Sequence, residues 1–221
     1  MNKKRNKKQK NKNNLQKLWH FIWHDDSVWS WIVNVILAFL IVKFIFYPGL
    51  SLIVGTPLPL VAVTSSSMEH RATNVNSENI LMCSGERLDT TRQLSIEDWW
   101  NECGEWYEQN TNITLQEFKE FPLRNGFNKG DIILLRGARE IDVGDIIVFE
   151  ARKPQPIIHR IILKNETTIR TKGDNNPRLI ETAQLDETNI PEEKILGKAY
   201  AKVPYLGYIK IWFTNLVSYF M

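Results

Sequence analysis

Ser65-Ser66-Ser67, followed by Met68, Glu69 and His70, are the residues of this 221-residue chain best placed to react. A hydroxyl is a weak nucleophile until a base takes its proton, so a serine used this way needs a partner elsewhere in the chain. Four histidines are available. His20 and His24 are spaced like metal ligands on one helical face, but they fall among aromatic residues, and interfacial packing is the simpler account. No metal or other cofactor is expected. His70 follows Ser67 by only three residues, which would demand a cramped turn. His159 stands among isoleucines in PIIHRIILK, and a buried imidazole there needs a polar partner. If Asn165-Glu166 is a two-residue hairpin turn, His159 faces Lys172, and Asp174 lies on the same face one diagonal step away. A satisfied core histidine beside a turn aspartate is the alternative, and the serine cluster weighs against it.

The segments around these residues point to a membrane. Val28 to Tyr47, VWSWIVNVILAFLIVKFIFY, has only Ser30, Asn34 and Lys43 as polar members. About twenty helical residues span roughly 30 Å, the thickness of a bilayer's hydrocarbon core. Lys43 can snorkel to the headgroups, and Trp19, Trp23, Trp29, Trp31 and Tyr47 suit the two interfaces. The run is too long for the apolar core of a cleaved signal peptide, so residues 28–47 are expected to remain as a transmembrane anchor. The net charge of +3 hides a split: residues 1–17 hold eight basic residues and no acid, while the remainder carries 20 basic and 25 acidic residues. A basic block beside a span reads as a positive-inside signal and a contact for anionic lipid. Residues 1–24 are therefore expected in the cytoplasm and everything after Pro48 outside, at the cell membrane. Because the positive charge is a tail and not a face of the folded domain, a nucleic-acid partner is not expected.

Residues 48–205 are expected to form one β-rich extracytoplasmic domain. LPLVAV reads as a strand leading into the serines, after Pro57 and Pro59 interrupt any helix. NKGDIILL, DVGDIIVF, PIIHRIILK, TTIRTK and ILGKAYAKV are short apolar runs with tight turns and no alternating helices, the pattern of an antiparallel sheet. Ser95 to Glu108 starts with an N-cap serine followed by acids, and Thr114-Leu115-Gln116-Glu117 is a capping-box sequence. Together they suggest a helical insertion at about 84–121. Residues 206–221 suit either a second span or an interfacial helix. Cys83 and Cys103 permit a disulfide without establishing one. Asn112-Ile113-Thr114 and Asn165-Glu166-Thr167 match the glycosylation sequon, which indicates only that these turns could be exposed.

Four motifs in order, SSSME (65–69), GDIIVF (144–149), IHRI (158–161) and TKGDNN (171–176), resemble the type I signal peptidases of the archaeal and endoplasmic-reticulum branch. The likeness covers most of residues 28–205. Bacterial relatives carry a lysine in the third motif, where this chain has His159. The resemblance implies a mostly β, antiparallel signal-peptidase-type domain. It implies Ser67 as nucleophile, His159 as general base, Asp174 as orienting acid, and the Ser67 backbone N–H with the Ser65 hydroxyl as the oxyanion hole. Asp145 and Asn175 are expected to shape turns. Two departures stand out. Ser66 occupies a position where relatives usually have glycine. Ile180 occupies the place of a second aspartate, which leaves Asp174 or a later acid, Glu181 or Asp186, to orient the imidazole. The implied partners are signal peptides of preproteins, bound as an extended strand, the lipid bilayer, and protein-export machinery. Two rival readings are a repressor-type self-cleaving protease, against which the anchor and His159 argue, and a catalytically inactive membrane-anchored binding module.

Overall fold

The computed structural model describes residues 16–89, 91–209, 211 and 212. The basic residues 1–15 and most of the segment 206–221 lie outside the described residues. The chain divides into two units, Met1–Leu50 and Ser51–Met221.

The apolar run forms a helix, and the helical stretch Val28–Val54 is 27 residues long, about 40 Å at 1.5 Å per residue. It is long and apolar enough to cross a membrane. Ser27 caps its start by accepting a hydrogen bond from the Ser30 N–H. The helix continues past Tyr47, where the anchor was expected to end, by widening to a π-helical turn at Val42–Phe46. That turn ends two residues before Pro48, whose ring would otherwise collide with the carbonyl of Phe44 four residues back. Asn34 donates its Nδ2 to the Ile22 carbonyl, so this polar group in the apolar run finds a protein partner.

The second unit is built on a six-stranded antiparallel sheet. Its strands are β1 (Leu60–Ala62), β4 (Ile132–Arg136), β5 (Ile146–Phe149), β6 (Ile157–Lys164), β7 (Ile169–Lys172) and β8 (Ile195–Val203), in the order β1-β4-β8-β5-β6-β7. A separate hairpin joins β2 (Thr73–Val75) to β3 (Glu78–Ile80). Its two turn residues, Asn76 and Ser77, both have positive φ, as the tight turn compatible with strand twist requires. Between β3 and β4 lie two helices, Ile96–Asn110 and Leu115–Glu120. Ser95 caps the first, and both reciprocal bonds of the Thr114–Glu117 capping box are present in the second. Cys83 and Cys103 form a disulfide within this insertion.

Three apolar clusters hold the unit together. One, around Val63, Met68, Phe127, Ile133 and Val148, seats the serine segment on the sheet. A second, Leu81, Trp99, Trp100, Tyr107, Phe118 and Ile162, packs the insertion onto β6. The third, with Ile147, Ile161, Ile169, Leu185 and Ile190, lies on the side of the sheet that also bears His159.

Candidate active site

β1 delivers the serines. It pairs with β4 from Leu60↔Leu134 to Ala62↔Ile132, and the pairing ends in two bonds between Val63 and the Gly130-Asp131 turn. Beyond it, Met68 is buried in the core and pulls the serine turn down. The turn is clamped on both sides. The Asn175 N–H donates to the Ser67 carbonyl at 2.8 Å, and Asn175 Nδ2 donates to the Ser66 carbonyl at 3.1 Å. The buried Glu69 carboxylate accepts from the Arg71 guanidinium and from the Lys129 N–H. Ser66 is not among the residues with positive φ, so its Cβ fits in ordinary backbone.

Strand β6 delivers His159, which is 4% exposed. Its Nε2 lies 3.0 Å from Ser67 Oγ, and Ser65 Oγ lies 3.2 Å from Ser67 Oγ. The other ring nitrogen, Nδ1, is bonded to a carboxylate oxygen of Glu187. That carboxylate is fully buried and accepts two more bonds, from the Thr171 hydroxyl at 3.2 Å and the Ile180 N–H at 2.7 Å. An ionised carboxylate can only accept, so Nδ1 carries the proton and Nε2 presents its lone pair to the Ser67 hydroxyl. Gly173 borders the pair closely: a Cβ there would stand 2.9 Å from His159 Nε2 and 2.8 Å from the Ser67 carbonyl oxygen.

Neither Asp174 nor Asp186 takes the position behind His159. The loop joining β6 to β7 is four residues, Asn165 to Thr168, organised by the Asn165 side chain, which accepts from the Thr167 and Thr168 N–H groups. A bulge between Ile161 and Leu163 shifts the register further, so Arg160, not His159, faces Lys172. A one-residue slip moves every side chain to the other face, and Asp174 goes with Arg160. Its Oδ1 accepts from Arg160 Nε at 2.9 Å and the Tyr107 hydroxyl at 3.2 Å. Its Oδ2 accepts from Arg160 Nη2 at 2.7 Å and His70 Nε2 at 3.0 Å. Burial alone would raise the Asp174 pKa, but the Arg160 charge and these bonds outweigh it and hold it well below the usual carboxylate range. Burial lowers the His70 pKa against the pull of Asp174, and its Nε2 is bonded to Asp174, not to Ser67. Asp186 is exposed and accepts from its own neighbour Thr188, and Glu181 is exposed as well. Asp145 accepts from the Asp142 N–H in the turn before β5 and pairs with Lys198.

Glu187 was missed in the sequence, yet a signal for it exists. The signal is apolar Leu185 two residues earlier, whose face Glu187 shares in period-two backbone; in the structure both are buried and Asp186 between them is exposed.

A groove of about 430 Å³ opens at Ser67 and His159 and is lined otherwise by β1 residues such as Val61 and Ala62 and by Pro154 to Ile158. Its walls are largely apolar, and β1 is an edge strand of the sheet.

No family model matches the chain. Among curated proteins, the signal peptidase complex catalytic subunit SEC11 of Komagataella phaffii is 30% identical over 119 residues, covering 48% of this chain and 70% of that protein. The chain belongs to the signal peptidase family. The SEC11 subunits of Colletotrichum graminicola and Schizosaccharomyces pombe are 35% and 36% identical over 94 and 92 residues, 38% and 37% of this chain. Of these two relatives the matched part spans about half the length, 55% and 48%. Signal peptidase membership agrees with an antiparallel sheet, a helical insertion and an apolar N-terminal helix in one chain.

Proposed function

We propose that the chain is a membrane-anchored serine endopeptidase that removes N-terminal signal peptides from exported preproteins. The observation that carries this is the Ser67–His159–Glu187 line at the mouth of an apolar groove. Ser67 Oγ attacks the scissile carbonyl while His159 Nε2 takes the hydroxyl proton. The imidazolium formed is held in orientation by the Glu187 carboxylate, then gives its proton to the leaving amine. Water, deprotonated by the same nitrogen, releases the acyl group and returns Ser67 to its starting form. The Ser67 backbone N–H and the Ser65 hydroxyl are the donors for the developing oxyanion. The substrate lies extended along β1 as an added strand, with small side chains one and three residues before the cut, as the family resemblance implies.

In this reading the N-terminus is cytoplasmic and residues 48–205 work at the outer face of the membrane. The relatives named above are subunits of a complex, which supports partner subunits for this chain too. The test is cleavage of a preprotein by the full chain in detergent or vesicles. Ser67→Ala and His159→Ala should each abolish it, and processing that survives either change sinks the assignment.

A further inference from the structure

The helical insertion has no evident part in the chemistry above, yet its contacts converge on one place. The Tyr107 hydroxyl donates to Asp174 Oδ1, and its raised pKa, caused first by burial and then by Asp174, keeps it a donor. Trp99 stacks on the His70 ring, with centroids 3.9 Å apart. Phe118 lies 4.7 Å from the Arg160 guanidinium, and Tyr107 4.8 Å from Lys172 Nζ. These four partners, Asp174, His70, Arg160 and Lys172, form a buried polar cluster on the opposite face of β6 from His159.

That cluster joins the two halves of the reactive pair. On one side His70 lies three residues beyond Ser67. The Asp174 N–H points at Met68 Sδ at 3.4 Å, and the next residue, Asn175, holds the Ser67 carbonyl. On the other side Arg160 directly follows His159 in β6. Arg160 spends its remaining donors on the Pro122, Leu123 and Gly144 carbonyls, which leaves it no freedom to turn.

We propose that the insertion is a positioning element for catalysis, with Tyr107 as its contact: by holding Asp174 it fixes the serine turn against the strand that carries His159. The physical reason is tolerance. Nucleophile and base must stay within hydrogen-bond reach and in line, and a displacement of about 1 Å costs on the order of a hundredfold in rate. A cover with a packing role alone would need the aromatic rings of this apolar cluster but no hydroxyl. The hydroxyl at Tyr107 meets the carboxylate shared by both halves of the site.

The inference rests on the peptidase reading, and the experiment keeps the two apart. Full-length Tyr107→Phe and Tyr107→Leu are compared with wild type for kcat, KM and Tm on a preprotein, with Ser67→Ala as the control. Tyr107→Phe keeps the ring and loses only the bond to Asp174. Its kcat is expected to fall about tenfold, as a small misplacement of the reactive pair would give, with KM within about twofold and Tm lowered by only the few degrees that one lost bond explains. Wild-type kcat in Tyr107→Phe, with loss confined to Tyr107→Leu, overturns the inference and makes the insertion a packing cover. A fall in kcat that vanishes well below the variant's unfolding range overturns it as well. Cleavage that survives Ser67→Ala removes the peptidase reading itself, whatever the tyrosine variants do.

Discussion

Glu187 and Asp174 are both fully buried acids within reach of a histidine, and they should fail differently when changed. In the proposed mechanism Glu187 faces the imidazole that receives the Ser67 proton. Glu187→Gln keeps the shape and removes the charge that fixes the His159 tautomer, so kcat is expected to fall about 10³- to 10⁴-fold with a nearly native fold. Asp186→Ala, at an exposed side chain, should stay within about twofold; both are read from initial rates of preprotein cleavage. Asp174 instead neutralises the permanently charged, fully buried Arg160. Asp174→Asn leaves that charge unpaired and is expected to cost about 3–5 kcal/mol of stability, measured by denaturant unfolding. Lys172 supplies a pH signature. Burial pushes its pKa down to about 8, against the raising pull of Asp174 and Glu187. Between about 8 and the ordinary lysine value near 10.4 the unfolded chain therefore binds more protons than the folded one, and stability from this group rises with pH. The rise should amount to on the order of 2 kcal/mol between pH 8 and 9.5, and it should be missing from Lys172→Met in paired denaturation curves.

Among the elements, the β6–β7 hairpin and the insertion matter most. The strands themselves were legible: ILGKAYAKV became β8 residue for residue, and PIIHRIILK became β6 less its first proline. Their register was not, because it depends on a four-residue turn and a bulge. A bulge is a compromise between two strands and their neighbours, so neither strand encodes it alone. Both insertion helices announced themselves through their caps, but their purpose did not, since Trp99 acts on His70 after the serine turn, Tyr107 on Lys172 and Asp174 at the end of β7, and Phe118 on Arg160 in β6. The Cys83–Cys103 bond ties the first of these helices to the chain just after β3. It closes a loop of 20 residues, for which chain entropy suggests about 3 kcal/mol. Cys83→Ser/Cys103→Ser is expected to lose about that much in denaturant unfolding. A variant as stable as wild type would show that aromatic packing alone holds the insertion.

For the whole molecule, the proposed membrane orientation rests on charge. Residues 1–17 carry eight basic residues and no acid, next to a helix able to span a bilayer. Replacing those eight residues with glutamine should weaken the cytoplasmic preference of the N-terminus. Protease protection in sealed vesicles should then find the sheet domain on both sides, against one side expected for the native chain. A native distribution in the variant would mean that something other than the tail sets orientation.

Composition and order by themselves determined the apolar helix, the strand-rich domain, the capped insertion helices and the serine and histidine segments that meet. Each depends on local periodicity, on a cap or on a motif a few residues long. Only the tertiary structure decided which acid stands behind His159 and what the insertion touches. Glu187 reaches His159 across 28 residues, and Tyr107 reaches Asp174 across 67. Such contacts follow from strand register and from which face each side chain takes, and one inserted bulge residue reverses that choice without changing any local preference.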